Sequence, residues 1–94
     1  MQQINRKVVD FFSALSDETR LKILGILMEK DKTVGEIHKS VGDKKLTLSA
    51  ISHQLKHLSL LGIVVYEKKG REKYFHLSDK FCWCILKDAF KHFK

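Results

Sequence analysis

Ser49, Ser52, His53 and Lys56 fall at i, i+3, i+4 and i+7, which lines them along one stripe of a helix. The stripe offers short donors and acceptors with a cation at its far end. Short hydroxyls let a helix approach base edges closely, and a lysine one turn later reaches a phosphate, so the chemistry on offer is the reading of a major groove. The solvated face of an ordinary surface helix would carry a similar stripe, and the surrounding residues must decide between the two. Leu48, Ile51, Leu55 and Leu58 form a second, apolar stripe that should be buried and anchor the helix. Thr47 stands where an N-cap belongs and Gly62 where a left-handed residue would end the element, so the spacing predicts a DNA-recognition helix between them.

Two other chemistries are open to these residue types. His38, His53, His57, His76 and His92 offer imidazoles, and Cys82 or Cys84 a nucleophile. None of them has a neighbouring base or orienting carboxylate placed by a motif, and no glycine-rich phosphate loop accompanies them, so no enzyme is expected. Cys82 and Cys84 would point about 200° apart on a helix, which keeps them from sharing one metal ion or bonding to each other. They read either as small apolar thiols in a tight interface, or as a site where one cysteine meets its own copy across a two-fold axis in an intersubunit disulfide, structural or redox-switched.

Charge favours a polyanionic partner. Of the net charge of +7, residues 1–41 carry +1 and residues 42–94 carry +6, so the basic excess sits in the half that holds the serine stripe. No stretch approaches the ~18 apolar residues of a membrane span. MQQINRKVVDFF lacks the apolar run of a signal peptide, so a cytoplasmic protein with reduced thiols is expected. A chain of 94 residues reads as one domain over 1–94, small enough that burial against a second copy would add stability.

The elements that must position the stripe follow in order. Ile4, Val8, Phe11, Phe12 and Leu15 predict a first helix, with a heavier apolar stripe than a lone surface helix needs. Ser16 to Thr19 supply a cap for LKILGILMEK, the central core helix. Thr33 and Glu36 have capping-box spacing, and Val34, Ile37 and Val41 make one face of a short helix closed by Gly42. The turn GDKKL, with Lys44 and Lys45, then leads to Thr47, completing a helix-turn-helix whose turn lies where a phosphate backbone would pass. IVVYEKK and KYFHLS read as two strands joined at Gly70 and Arg71. The hairpin carries Lys68, Lys69, Arg71 and Lys73 at its end, like the wing of a winged helix. Ser78 or Asp79 should cap a last helix, FCWCILKDAFKHF, so apolar in its first two turns that it should be buried with the first helix at a dimer interface.

With these elements in place, the chain resembles the ArsR/SmtB family of winged-helix repressors: ALSDETRLKIL is similar to the family's second-helix signature and LTLSAISHQLKHLSLLGIVVYEKKGREKYFHLSD to its recognition helix and wing. SAISHQLKHL is the most specific piece. The resemblance implies a mostly α fold with one β-hairpin (α1-α2-α3-α4-β-β-α5). It implies a homodimer through first and last helices, and a repressor of double-stranded DNA at a palindromic operator that an inducer, unnamed by the residues, would release. It carries base contacts over to Ser49, Ser52 and His53. Leu48 departs from it, standing where the family often has a polar residue. Many members sense metals, but DKTVGEI has no cysteine pair at the start of the third helix. Of another family site, between paired last helices, only Asp79 and His92 match, with Phe81 where a histidine would stand. The chain is therefore expected to work without a cofactor, a metal ion at Asp79 and His92 being the less favoured reading. A winged-helix module for RNA or a protein partner is the alternative function.

Overall fold

A computed structural model describes residues 3–94; Met1 and Gln2, part of the expected domain, lie outside the described residues. Five helices and one hairpin follow in the expected order: α1 (Arg6–Leu15), α2 (Glu18–Glu29), α3 (Val34–Val41), α4 (Leu48–Leu60), β1 (Val64–Lys69), β2 (Glu72–Leu77) and α5 (Cys84–His92). No described helix is long and apolar enough to cross a membrane.

Local chemistry sets most of the boundaries. Asn5, rather than a residue at the start of the Ile4 stripe, caps α1 by accepting from the Lys7 amide at 2.8 Å, and Ile4 is left outside the helix and exposed. Asp17 caps α2 through the Arg20 amide, 3.0 Å away. Thr33 and Glu36 close a full capping box: the Glu36 amide donates to Thr33 Oγ1 at 3.2 Å, and the Thr33 amide donates to Glu36 Oε1 at 2.9 Å. That second bond holds the Glu36 carboxyl below the usual carboxylate range. Because the folded value is the depressed one, the box contributes at neutral pH and weakens as acid protonates Glu36. Thr33→Ala should lower stability by about 1 kcal/mol, measured by urea unfolding at neutral pH. An unchanged midpoint would mean that solvent caps α3 equally well.

The core is one cluster. Ile23, Leu24 and Leu27 of α2, Ile37 of α3, Ile51, Leu55 and Leu58 of α4, and Ile63 and Val64 at the base of the hairpin are all buried together. Leu48 is not among them: it is 48% exposed. As the first residue of α4 it projects past the end of the three-helix core, and the half-buried Leu46 packs on the core from the preceding turn. The predicted anchoring stripe therefore starts at Ile51.

The hairpin is antiparallel, with Lys69 paired to Glu72 and Val64 to Leu77, so Gly70 and Arg71 alone form its turn. Gly70 has φ +66° and Arg71 has no positive φ, the pattern of a II′ turn, in which only the first position demands glycine. Backbone bonds from the Lys32 amide to Phe75 O (3.1 Å) and from the Phe75 amide to Lys32 O (2.8 Å) tie the segment before α3 to β2.

At the other end of the hairpin the structure departs from expectation. Neither Ser78 nor Asp79 caps α5. Ser78 Oγ accepts from the Lys80 amide at 3.3 Å, its carbonyl accepts from Trp83 Nε1 at 2.7 Å, and a turn occupies 79–83 before the helix starts at Cys84. The tryptophan bond costs α5 its first turn, because it holds the chain in a bend that a helix from Phe81 would straighten. Within one chain α5 is also far less covered than its composition suggests. Leu86 is buried and Trp83 half-buried, but Ile85 is 67% exposed and Phe81, Phe90 and Phe93 are exposed as well.

Candidate nucleic-acid interface

α4 turns its two faces as the spacing requires. Ile51, Leu55 and Leu58 are buried, while Ser49, Ser52, His53 and Lys56 are exposed. Thr47 Oγ1 accepts from the Ala50 amide at 3.0 Å, so the threonine is engaged in capping. Unlike α2 and α3, which place Glu18 and Glu36 in their first turns, α4 has no acid there. Its positive end is left uncompensated and available to an anion. The turn that delivers α4 is held from three sides: His38 Nε2 lies 2.8 Å from Leu46 O, the Lys45 amide donates to Asp43 Oδ1 at 2.9 Å, and the Leu46 amide donates to Asp43 O at 3.1 Å. Lys44 and Lys45 project into solvent from this braced turn.

Between α4 and the hairpin runs a groove of about 650 Å³, lined by Ser52, Leu55, Lys56 and Ser59 from α4, by Tyr66, Arg71, Glu72, Lys73 and Phe75 from the hairpin, and by Val34. The structure thus brings four of the sequence-predicted residues, Ser52, Lys56, Arg71 and Lys73, onto one concave surface. The lining carries three cations, Lys56, Arg71 and Lys73, and one carboxylate residue, Glu72. Ser49 and His53 lie exposed on α4 outside the groove lining. Strand alternation places Lys68 on the same face of the hairpin as Tyr66 and Lys73. Lys69 belongs to the opposite face, its Nζ 5.3 Å from the Tyr74 ring centroid.

Two residues that sequence reasoning did not assign to this surface belong to it: Tyr66, which it passed over, and Leu48, which it placed in the buried stripe. Tyr66 forms part of the groove wall with its ring 4.6 Å from Lys73 Nζ, a cation–π contact that holds the lysine over the groove. The signal was present in the period of two: Tyr66 shares its parity with buried Val64 and pairs with Phe75, so it had to face α4. Leu48, exposed beside Ser49 at the leading end of α4, offers an apolar surface of the kind that meets a thymine methyl.

The remaining candidates separate. Asp79 lies in the turn before α5 and His92 in its last turn, roughly 12 Å or more apart along the axis within one chain, so the two could meet only across a pair of subunits. Among the described residues no three His, Cys, Asp or Glu side chains gather as a metal site. Cys82 and Cys84, expected on opposite sides of a helix, are instead side by side, with Sγ atoms 2.7 Å apart. The cause is the late start of α5, which leaves Cys82 in the turn and only Cys84 in the helix.

Residues 17–66, from the cap of α2 to the start of the hairpin, match the model of a family described as "Bacterial regulatory protein, arsR family". The chain is 35% identical over 86 residues to a cadmium resistance transcriptional regulatory protein, a CadC homolog, of Staphylococcus aureus, covering 90% of this chain and 69% of that protein. It is 30% identical over 87 residues to a transcriptional repressor, an SmtB homolog, of Synechocystis, covering 93% of this chain but only 64% of the relative's length. Among solved structures, HlyU from Vibrio cholerae superposes with a TM-score of 0.82 at 26% identity, over 97% of this chain and 96% of that one.

Proposed function

Because the chain belongs to the arsR family of bacterial regulatory proteins, we propose that α4 and the hairpin hold double-stranded DNA between them, with α4 in the major groove and the hairpin as a wing on the adjoining backbone. The protein is a DNA-binding transcriptional regulator of the repressor type. The observation that supports this placement is the convergence of Ser52, Lys56, Arg71 and Lys73 on one groove, with Ser49 and His53 exposed along the same helix. Serines and the histidine are short enough to read base edges, while Lys44, Lys45, Lys56, Lys68, Arg71 and Lys73 supply the sequence-independent phosphate contacts.

A homodimer on a palindromic site completes the proposal. Val8 and Phe12 of α1, Ile85 of α5 and Phe93 just past its end are exposed apolar residues, and Phe11 of α1 stacks on Phe81 in the turn before α5 at 5.0 Å. A second copy covering both helices would place two α4 helices about a two-fold axis, and the site they read would share that symmetry.

Selection of bound sequences from a random duplex pool, followed by binding of the selected site across a salt series, tests the reading. A palindromic consensus with a steep salt slope is expected. Equal affinity for an RNA hairpin of the same length, or a flat salt response, would defeat it. On the selected site, Arg71→Ala with Lys73→Ala should reduce the slope of log K against log salt by roughly two units, about 0.9 for each phosphate no longer neutralised, while the ranking of DNA sequences stays the same. Lys69→Ala, on the far face of the hairpin, should change it less. An unaltered slope in the double variant would mean that the groove does not face the backbone.

A further inference from the structure

DNA binding makes no use of the two thiols at the start of α5. Both are exposed, and their sulfurs lie side by side, 2.7 Å apart. A disulfide needs about 2.05 Å, so well under an ångström of approach separates contact from bond. Their position also keeps them reachable. At 100° per residue, Cys84 shares a face of α5 with Lys87, Asp88 and Lys91, whereas exposed Ile85, Ala89 and Phe93 centre about 140° further round. A second copy seated on that apolar face leaves Cys84 in solvent.

The two sulfurs are not equivalent. Once ionised, Cys82 accepts from the Cys84 thiol and from the Cys84 backbone amide, which holds it below the ordinary thiol range; Lys87 acts in the same direction, against Asp88. The same sulfur–sulfur bond pushes Cys84 up. One thiol is thus the better nucleophile, and its neighbour keeps its proton until needed.

We propose that Cys82 and Cys84 form a thiol-oxidation site that takes a hydroperoxide and closes to a disulfide within one chain. The Cys82 thiolate attacks the outer oxygen of the hydroperoxide. The O–O bond breaks, the alcohol, or water from hydrogen peroxide, leaves with a proton, and Cys82 becomes a sulfenic acid. Cys84 sulfur then attacks Cys82 sulfur. The S–S bond forms, the S–O bond breaks, and the hydroxyl departs as water with the Cys84 proton. Two thiols and one hydroperoxide become one disulfide, one alcohol and one water, two electrons passing from sulfur to peroxide oxygen. The closed ring encloses Trp83, whose indole is pinned to Ser78 O, so the chain's single tryptophan should register the event.

The test uses the reduced full chain and hydrogen peroxide, and no readout depends on DNA. The intact mass should fall by two hydrogens, non-reducing gels should show no covalent dimer, tryptophan emission should drop in step, and dithiothreitol should reverse all three. Cys84→Ser should stop at the sulfenic acid, captured by dimedone on Cys82, while Cys82→Ser should consume peroxide more slowly than the parent. A disulfide-linked dimer, two thiols still titratable after treatment, or a Cys82→Ser variant as fast as the parent would each overturn the assignment.

Discussion

Replacing Phe12 and Ile85 together with lysine should yield a folded monomer that has lost its hold on a palindromic duplex. The two side chains are 55% and 67% exposed, so neither substitution opens a cavity in the core. Within the chain Phe12 packs edge-on against Phe11, 5.3 Å between centroids, and neither Phe12 nor Ile85 belongs to the core cluster. In a dimer, both positions would place an ammonium group against apolar surface that water cannot reach, and the two-fold axis would double the cost. Sedimentation should shift from twice the chain mass to the chain mass, with circular dichroism unchanged. Affinity for the full palindrome should fall by about a hundredfold or more, because the second half-site is no longer bound intramolecularly, while affinity for a single half-site should persist. A variant that still sediments as a dimer would show that α1 and α5 are not its interface, and the palindrome would have to be explained by another surface.

Ser52→Ala and His53→Ala should each cost about 1–3 kcal/mol on the selected site if the side chain makes a good base-edge contact, and far less on scrambled duplex. Discrimination between the two duplexes should therefore shrink by between fivefold and a hundredfold or more, following the same conversion. Both residues are exposed on α4 and outside the core, so unfolding midpoints should stay within about 0.5 kcal/mol of the parent. Set beside the wing variants, these substitutions divide the work of the two elements. Loss of specificity with the salt slope retained belongs to α4, and loss of slope with specificity retained belongs to Arg71 and Lys73. If the alanine variants discriminate as well as the parent, α4 carries the domain without reading the sequence.

Those assignments could be drawn in advance only where the governing chemistry is local. Thr33 with Glu36, Thr47 with the following apolar run, and Gly42 and Gly62 at φ +67° and +73° announce their elements within four residues, and each boundary lies where they place it. The hairpin turn is fixed by Gly70 in the same way. Expectation failed where a side chain answered to something distant. Ser78 has the look of a helix cap, but its carbonyl is claimed by Trp83, five residues on, and its amide by Ile63 O at 2.9 Å, across the base of the hairpin. The shift of α5 to Cys84 followed, and with it the pairing of two cysteines that helical geometry alone would have kept apart. Leu48 failed for a related reason: periodicity gives the face of a helix but not where the core beneath it ends.

The pair of backbone bonds between Lys32 and Phe75 bears on how this surface could change. Main-chain atoms rather than side chains clamp the approach to α3 onto β2, and the braced turn between α3 and α4 completes the frame. The angle between α4 and the hairpin, on the proposed placement the reading helix and the wing, is therefore insulated from the identity of Leu48, Ser49, Ser52 and His53, none of which takes part in the clamp. New operator preferences could be written into those four positions, by drift or by a designer, while the jig that presents them stays as it is.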